Sequence, residues 1–231
     1  MTDPRNSEKS GSADVVTESA QLAAALEGEL AHARASWSVF MSGNGLKDGH
    51  RSSLRNLLDG RDEAVVFNHL MRATATMTVM SIARLTDPYE TDRLTMSRLK
   101  SLLGKNFLEE FVREARSWFP DWKEKCDLEE RRTRTQLPLV HSRICKFLDS
   151  QQIARIRALR DEAVAHRLRI STIRPTFNDI GWAFDEAHSI CSAVSLLARG
   201  TSWDPEDFIR LPLNSADAFW DAFERGLAEA D

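Results

Sequence analysis

The residues of this chain best suited to chemistry are an arginine and a histidine six positions apart. They are Arg160 and His166, in the run Leu159-Arg160-Asp161-Glu162-Ala163-Val164-Ala165-His166-Arg167. At about 100° per residue, Ile153, Ile156, Ala163 and Val164 form one apolar stripe flanked by Leu159. Arg160 falls inside that stripe. A buried, unpaired guanidinium is very costly, so Arg160 needs an acidic partner, a wet cleft or a ligand. A guanidinium can hold a phosphate through its planar fork, and an imidazole can move a proton near neutral pH. The same spacing also fits a structural arginine bonded to an acid on a neighbouring helix, or a surface pair between Glu162 and His166.

The surroundings add charge. Between Ile153 and Arg174 the chain carries Arg155, Arg157, Arg160, Arg167, Arg169 and Arg174 against only Asp161 and Glu162. All of these cations are arginines, the better choice for bidentate phosphate recognition. A run of charge is otherwise a solvated helix face, but the place of Arg160 in the apolar stripe resists that reading.

The elements that must position these residues read as helices. The chain has 231 residues and is 42% hydrophobic, with 10 Gly and 7 Pro, which favours one core of long helices over short strands and tight turns. Residues 1–14 are polar and expected to be a disordered tail. Leu22, Leu26, Leu30, Ala33, Trp37 and Phe40 predict a first helix from Val15 to Met41, stopped by Ser42-Gly43-Asn44-Gly45. A second is expected from Arg61 to Thr86, ended by Asp87-Pro88. Thr95 caps a helix to Leu103, and another runs from Phe107 to Trp118. Asp121 to Thr135 is a charged stretch, and a weaker helix follows from about Leu139 to Leu148. The Arg–His helix spans Asp149 to Ile170, and Pro175 precedes a helix over Thr176 to Ala198 that Gly200 ends. Trp203, Phe208, Phe219, Trp220 and Phe223 mark residues 201–231 as an extension with a short amphipathic helix.

Net charge of −4 weighs against a simple nucleic-acid coating protein without excluding a local basic site. Cys126, Cys145 and Cys191 are odd in number and contain no CxxC, so neither a disulfide framework nor a zinc knuckle is implied. No apolar run approaches about 18 residues, and the N-terminus lacks a secretory pattern, so a cytoplasmic protein with no membrane span is expected. His141 with Cys145, and His188 with Cys191, each offer two ligands on a helix face, which does not make a metal site.

The Leu159–Arg167 run resembles the signature of HEPN domains (higher eukaryotes and prokaryotes nucleotide-binding): an arginine, usually a polar residue after it, and a histidine beyond four to six intervening positions. Asp161 stands at the polar position. The run Ser81-Ile82-Ala83-Arg84-Leu85-Thr86-Asp87-Pro88 is similar to the end of an early helix in AbiU-type HEPN proteins, an abortive-infection, phage-defence subgroup. The resemblance covers about Val15 to Gly200. It implies an all-α, up-and-down HEPN-like bundle over residues 15–200 with a helical insertion, the 201–231 extension packing on it.

It also implies a toxin-type endoribonuclease that needs neither metal nor cofactor. Two protomers would join their motif helices into a composite site. His166 would serve as acid or base, Arg160 would hold the scissile phosphate, and Asp161 would orient a motif side chain. Arg157, Arg167 and Arg169 are the expected RNA contacts. The expected partners are RNA, a second copy of the chain, and an antitoxin or regulatory protein. The alternative is a non-catalytic HEPN module that binds nucleotide, RNA or a protein.

Overall fold

A computed structural model describes residues 12–45, 54, 58–88, 94–165, 174–202 and 204–229; the side chains of residues 12–14, 163–165 and 205 lie outside that description. Among the described residues the chain is helix and connecting turn, with no strand. The helices are α1 (Ser12–Gly43), α2 (Glu63–Leu85), α3 (Met96–Leu102), α4 (Leu108–Ser117), α5 (Lys123–Leu148), α6 (Gln151–Ala165), α7 (Phe177–Arg199) and α8 (Pro205–Glu229). A 3₁₀ turn at Lys105–Phe107 leads into α4. The architecture is the expected all-α one.

By its contacts the chain forms two units. One comprises residues 1–28 and 83–203, the other residues 29–82 and 204–231.

The first unit holds the candidate chemistry. Its interior is built from Leu22, Ala23 and Leu26 of α1 and from Phe111, Ile144, Ile153, Ile156, Phe184 and Ile190 of the later helices, all buried. Several boundaries fall where their capping residues dictate. Thr95 accepts a hydrogen bond from the Arg98 backbone N at 3.2 Å and starts α3. Thr176 and Asp179 form a reciprocal capping box at the start of α7. Gly200 closes that helix at φ +70°, a conformation glycine adopts without strain, and its N donates to Leu196 O at 3.0 Å. Phe177, the first residue of α7, is exposed, and the buried stretch of the helix opens with Asp179 and Ile180.

α5 departs from the expected charged stretch followed by a short helix. One helix of 26 residues runs through both, with Pro138 inside it. An interior proline costs about 3 kcal/mol. Leu137, Val140, Ile144 and Phe147 are buried along the same helix, and each buried apolar side chain returns about 1.5–3 kcal/mol. Packing therefore outweighs the missing backbone bond. The charged half is ordered by pairs: Arg134 Nη1 reaches Glu109 Oε1 of α4 at 2.6 Å, and Arg116 Nη1 reaches Glu130 Oε2 at 2.8 Å. Arg143 binds Glu186 through two nitrogens and donates to Ser189 Oγ at 2.7 Å, which ties α5 to α7.

The second unit centres on Trp220. That ring is buried with Leu54, Leu58, Phe67, Met71 and Leu227, and Trp220 Nε1 donates to Val39 O at 2.9 Å. Its α8 is 25 residues long, not the short helix expected, and it too contains a proline, Pro212. Phe208, Ala216, Trp220 and Leu227 are buried along it, so again one apolar face carries the helix past the proline. An open apolar groove of about 530 Å³ lies beside α1 and α8, lined by Ala35, Val39, Phe208, Leu211 and Phe219. Among the described residues no helix is long and apolar enough to cross a membrane.

Candidate functional site

α6 starts where Ser150 caps it: Ser150 Oγ accepts from Ile153 N at 3.3 Å, and Ser150 O from Ala154 N at 3.1 Å. Ile153 and Ile156 then bury completely. One and two turns further on, the same side of the helix presents Arg157 and Arg160. The apolar stripe thus becomes basic as it leaves the core.

The surface that receives these two arginines is the corner after α2. The helix unwinds there through Thr86 N to Ala83 O (3.1 Å) and Asp87 N to Arg84 O (3.2 Å), and Pro88 stops it. Thr86 Oγ1 donates to Ala83 O at 3.0 Å and accepts from Arg157 Nε at 3.2 Å. Arg160 Nη1 donates to Asp87 Oδ1, while Arg160 Nε donates to Asp161 Oδ1 at 2.9 Å. The Asp87 backbone is fixed separately, since Ser97 Oγ donates to Asp87 O at 2.8 Å.

Arg160 is neither sealed nor freely solvated: its side chain is 19% exposed, against 12% for Asp87 and 67% for Asp161. Burial works against its charge, but the bonds it donates to Asp87 and Asp161 outweigh burial and hold its pKa above the ordinary arginine value. Arg157 moves the other way. Burial first, then the neighbouring Arg160, pushes it below the ordinary value, with Asp87 opposing. Two guanidinium groups thus converge on one turn, Arg157 on the Thr86 hydroxyl and Arg160 on the Asp87 carboxylate, with Asp161 at the rim. With Nε and Nη1 each engaged by a carboxylate, the group Arg160 can still turn toward an oxyanion at the edge of solvent is Nη2.

Of the six site residues expected from sequence, Arg157, Arg160 and Asp161 come together here. His166, Arg167 and Arg169 lie outside the described residues. From sequence Thr86 and Asp87 mark only a helix end, yet their side chains meet the motif arginines. The signal lies in the Ser81–Pro88 run, which resembles the AbiU-type subgroup of the family whose signature the motif resembles.

A second tie holds α6. Arg155 Nη1 lies 3.2 Å from Asp179 Oδ2, and Asp179 also accepts from Thr176 N at 2.7 Å. Burial would raise the Asp179 pKa, but its bonds from Thr176 and then Arg155 hold it below the usual carboxylate range.

The two His–Cys pairs fall elsewhere. His141 is pushed below its ordinary pKa by burial and by the charges of Lys100 and Lys105. His188 Nδ1 meets Glu27 Oε1 at 2.5 Å, and burial, with Glu27 adding to it, pushes the Cys191 thiol well up. Among the described residues no three His, Cys, Asp or Glu side chains converge as metal ligands.

An arginine-bearing helix of this kind, on an all-α frame, has the character of the HEPN class. The comparison with protein families agrees and is narrower: residues 18–219 match AbiU2, so the chain belongs to the HEPN_AbiU2 family. No curated protein and no solved structure matches it significantly.

Proposed function

We propose that this protein is an endoribonuclease of the HEPN type that acts in abortive infection against phage, in the cytoplasm, as a homodimer with α6 near the two-fold axis. The observation that carries the reading is Arg160. In a chain of the HEPN_AbiU2 family, the motif arginine is held by two carboxylates at a solvent edge with Arg157 beside it. In this reading Arg160 binds the scissile phosphate, and Arg157, Arg167 and Arg169 contact the RNA backbone.

The reaction needs only groups that the RNA and the protein supply. The ribose 2′-oxygen attacks the adjacent phosphorus and loses its proton. The bond from phosphorus to the 5′-oxygen breaks, and that oxygen takes up a proton. His166 serves as the acid or base in these transfers. The guanidinium of Arg160 stabilises the charge that builds on the phosphate oxygens. The products are a 2′,3′-cyclic phosphate and a 5′-hydroxyl. An antitoxin or other regulatory partner would restrain such an activity in the growing cell.

One observation favours the alternative, a non-catalytic HEPN module: Asp87 and Asp161 already neutralise Arg160 within the protomer. The experiment that separates the two compares wild type with His166→Ala for growth arrest and for RNA cleavage by the purified protein. Loss of both in the variant, with cleavage down about 10²–10⁴-fold, supports the enzyme. RNA binding without cleavage by the wild type supports the module.

A further inference from the structure

We propose that Asp87 is a positioning residue of the candidate phosphate site, setting the orientation of the Arg160 guanidinium from the corner after α2. The inference rests on the ribonuclease reading of that site.

Three observations carry it. The carboxylate of Asp87 is not needed to end α2. Pro88, the Asp87 N to Arg84 O bond and the Ser97 Oγ to Asp87 O bond fix the backbone there without it. The side chain is nonetheless largely buried, and it accepts a charge-assisted bond from Arg160 Nη1. Asp161, the acid next to Arg160 in the motif, takes Nε. The two acids therefore grip different edges of one planar group, Asp87 from the buried side and Asp161 from the exposed side, and together restrict its rotation. Thr86 extends the same mount. Its hydroxyl hydrogen is committed to Ala83 O, so its oxygen is left to accept from Arg157 Nε.

A guanidinium on three flexible methylenes is otherwise free to swing, and positional error of about 1 Å in a catalytic group costs on the order of 10²-fold in rate. Asp87 lowers that error at the expense of some positive charge. The arrangement therefore predicts a loss of activity when the carboxylate is removed, although removal makes the site more positive. A latch that blocks the phosphate would give the opposite sign.

The experiment measures kcat and KM for RNA cleavage by the purified full-length wild type, Asp87→Asn, Asp87→Glu and Arg160→Ala. Each is assayed at a temperature where circular dichroism shows it folded. Asn keeps the shape and one acceptor oxygen but loses the charge, so a fall of about 10-fold or more is expected, mainly in kcat. Asp87→Glu restores the charge on a longer arm and should recover part of the loss. Cleavage by Asp87→Asn equal to or above that of the wild type, while Arg160→Ala is inactive, overturns the positioning role and leaves the ribonuclease reading standing. So does a loss confined to KM, or one that Glu does not relieve. No cleavage by the wild type, or full cleavage by Arg160→Ala, removes the ribonuclease reading and this inference with it.

Discussion

Replacing Asp179 by alanine should loosen the hold of α7 on the motif helix, and its size can be worked from the contacts. Asp179 is buried, returns the capping-box bond to Thr176 N at 2.7 Å, and faces Arg155 of α6 at 3.2 Å. A hydrogen bond to a charged group contributes about 1.5–3 kcal/mol. The Arg155 side chain is about one-third exposed, so that ion pair adds less than about 1 kcal/mol after solvent screening. The expected loss is about 2–3 kcal/mol. For a chain of this length it lowers Tm by roughly 5–10 °C. Thr176→Ala should cost about 1 kcal/mol. The double variant should cost less than the sum, because the two residues cap each other.

The pH dependence has a definite sign. The folded-state pKa of Asp179 is depressed, so its contribution is present above the ordinary carboxylate value of 3.8 and is lost as pH falls through the lower folded value. Urea unfolding at pH 7 and at steps below pH 4 should therefore show the gap between wild type and Asp179→Ala closing in acid. A loss under about 0.5 kcal/mol at pH 7, or a gap that does not change in acid, would refute this account of the helix junction.

Trp220→Ala should destabilise the second unit by about 3–5 kcal/mol, read by denaturant unfolding, since it removes a buried ring and its Nε1 bond to Val39 O. Gly43→Ala should also destabilise, by about 1–3 kcal/mol in the same assay, because a Cβ there would stand 2.7 Å from Trp220 Cζ2. Cys191 should resist a thiol reagent at pH 8 until the protein unfolds, since burial and Glu27 disfavour its thiolate; labelling followed by peptide mass analysis checks this. Arg160→Lys should be nearly as impaired in RNA cleavage as Arg160→Ala, because an ammonium cannot make both bonds of the fork.

Most helix boundaries were legible because they rest on local chemistry. Thr95, Pro175 with Thr176, and Gly200 act through their own backbone and nearest neighbours, so their sequence positions carry the information. At α5 and α8 the helix is longer than local sequence implies, for one reason. Pro138 and Pro212 argue locally against helix, and only the burial of residues on either side decides for it. At the candidate site, the place of Arg160 in an apolar stripe showed that it needed a partner. Which partner was a tertiary fact. Asp87 is 73 positions away, and nothing in the periodicity of α6 points to it. The resemblance of the Ser81–Pro88 run marked the right corner but not the bond it makes.

The most direct test of the central claim uses paired RNA substrates that differ by one 2′-hydroxyl at the cleaved position, with EDTA present throughout. The account predicts that the wild type cuts the all-ribose strand to a 2′,3′-cyclic phosphate end, that His166→Ala and Arg160→Ala lose this cleavage, and that the strand with the single 2′-deoxy residue stays intact at that position. Cleavage of the 2′-deoxy position, a requirement for added metal, or full activity in His166→Ala would contradict it.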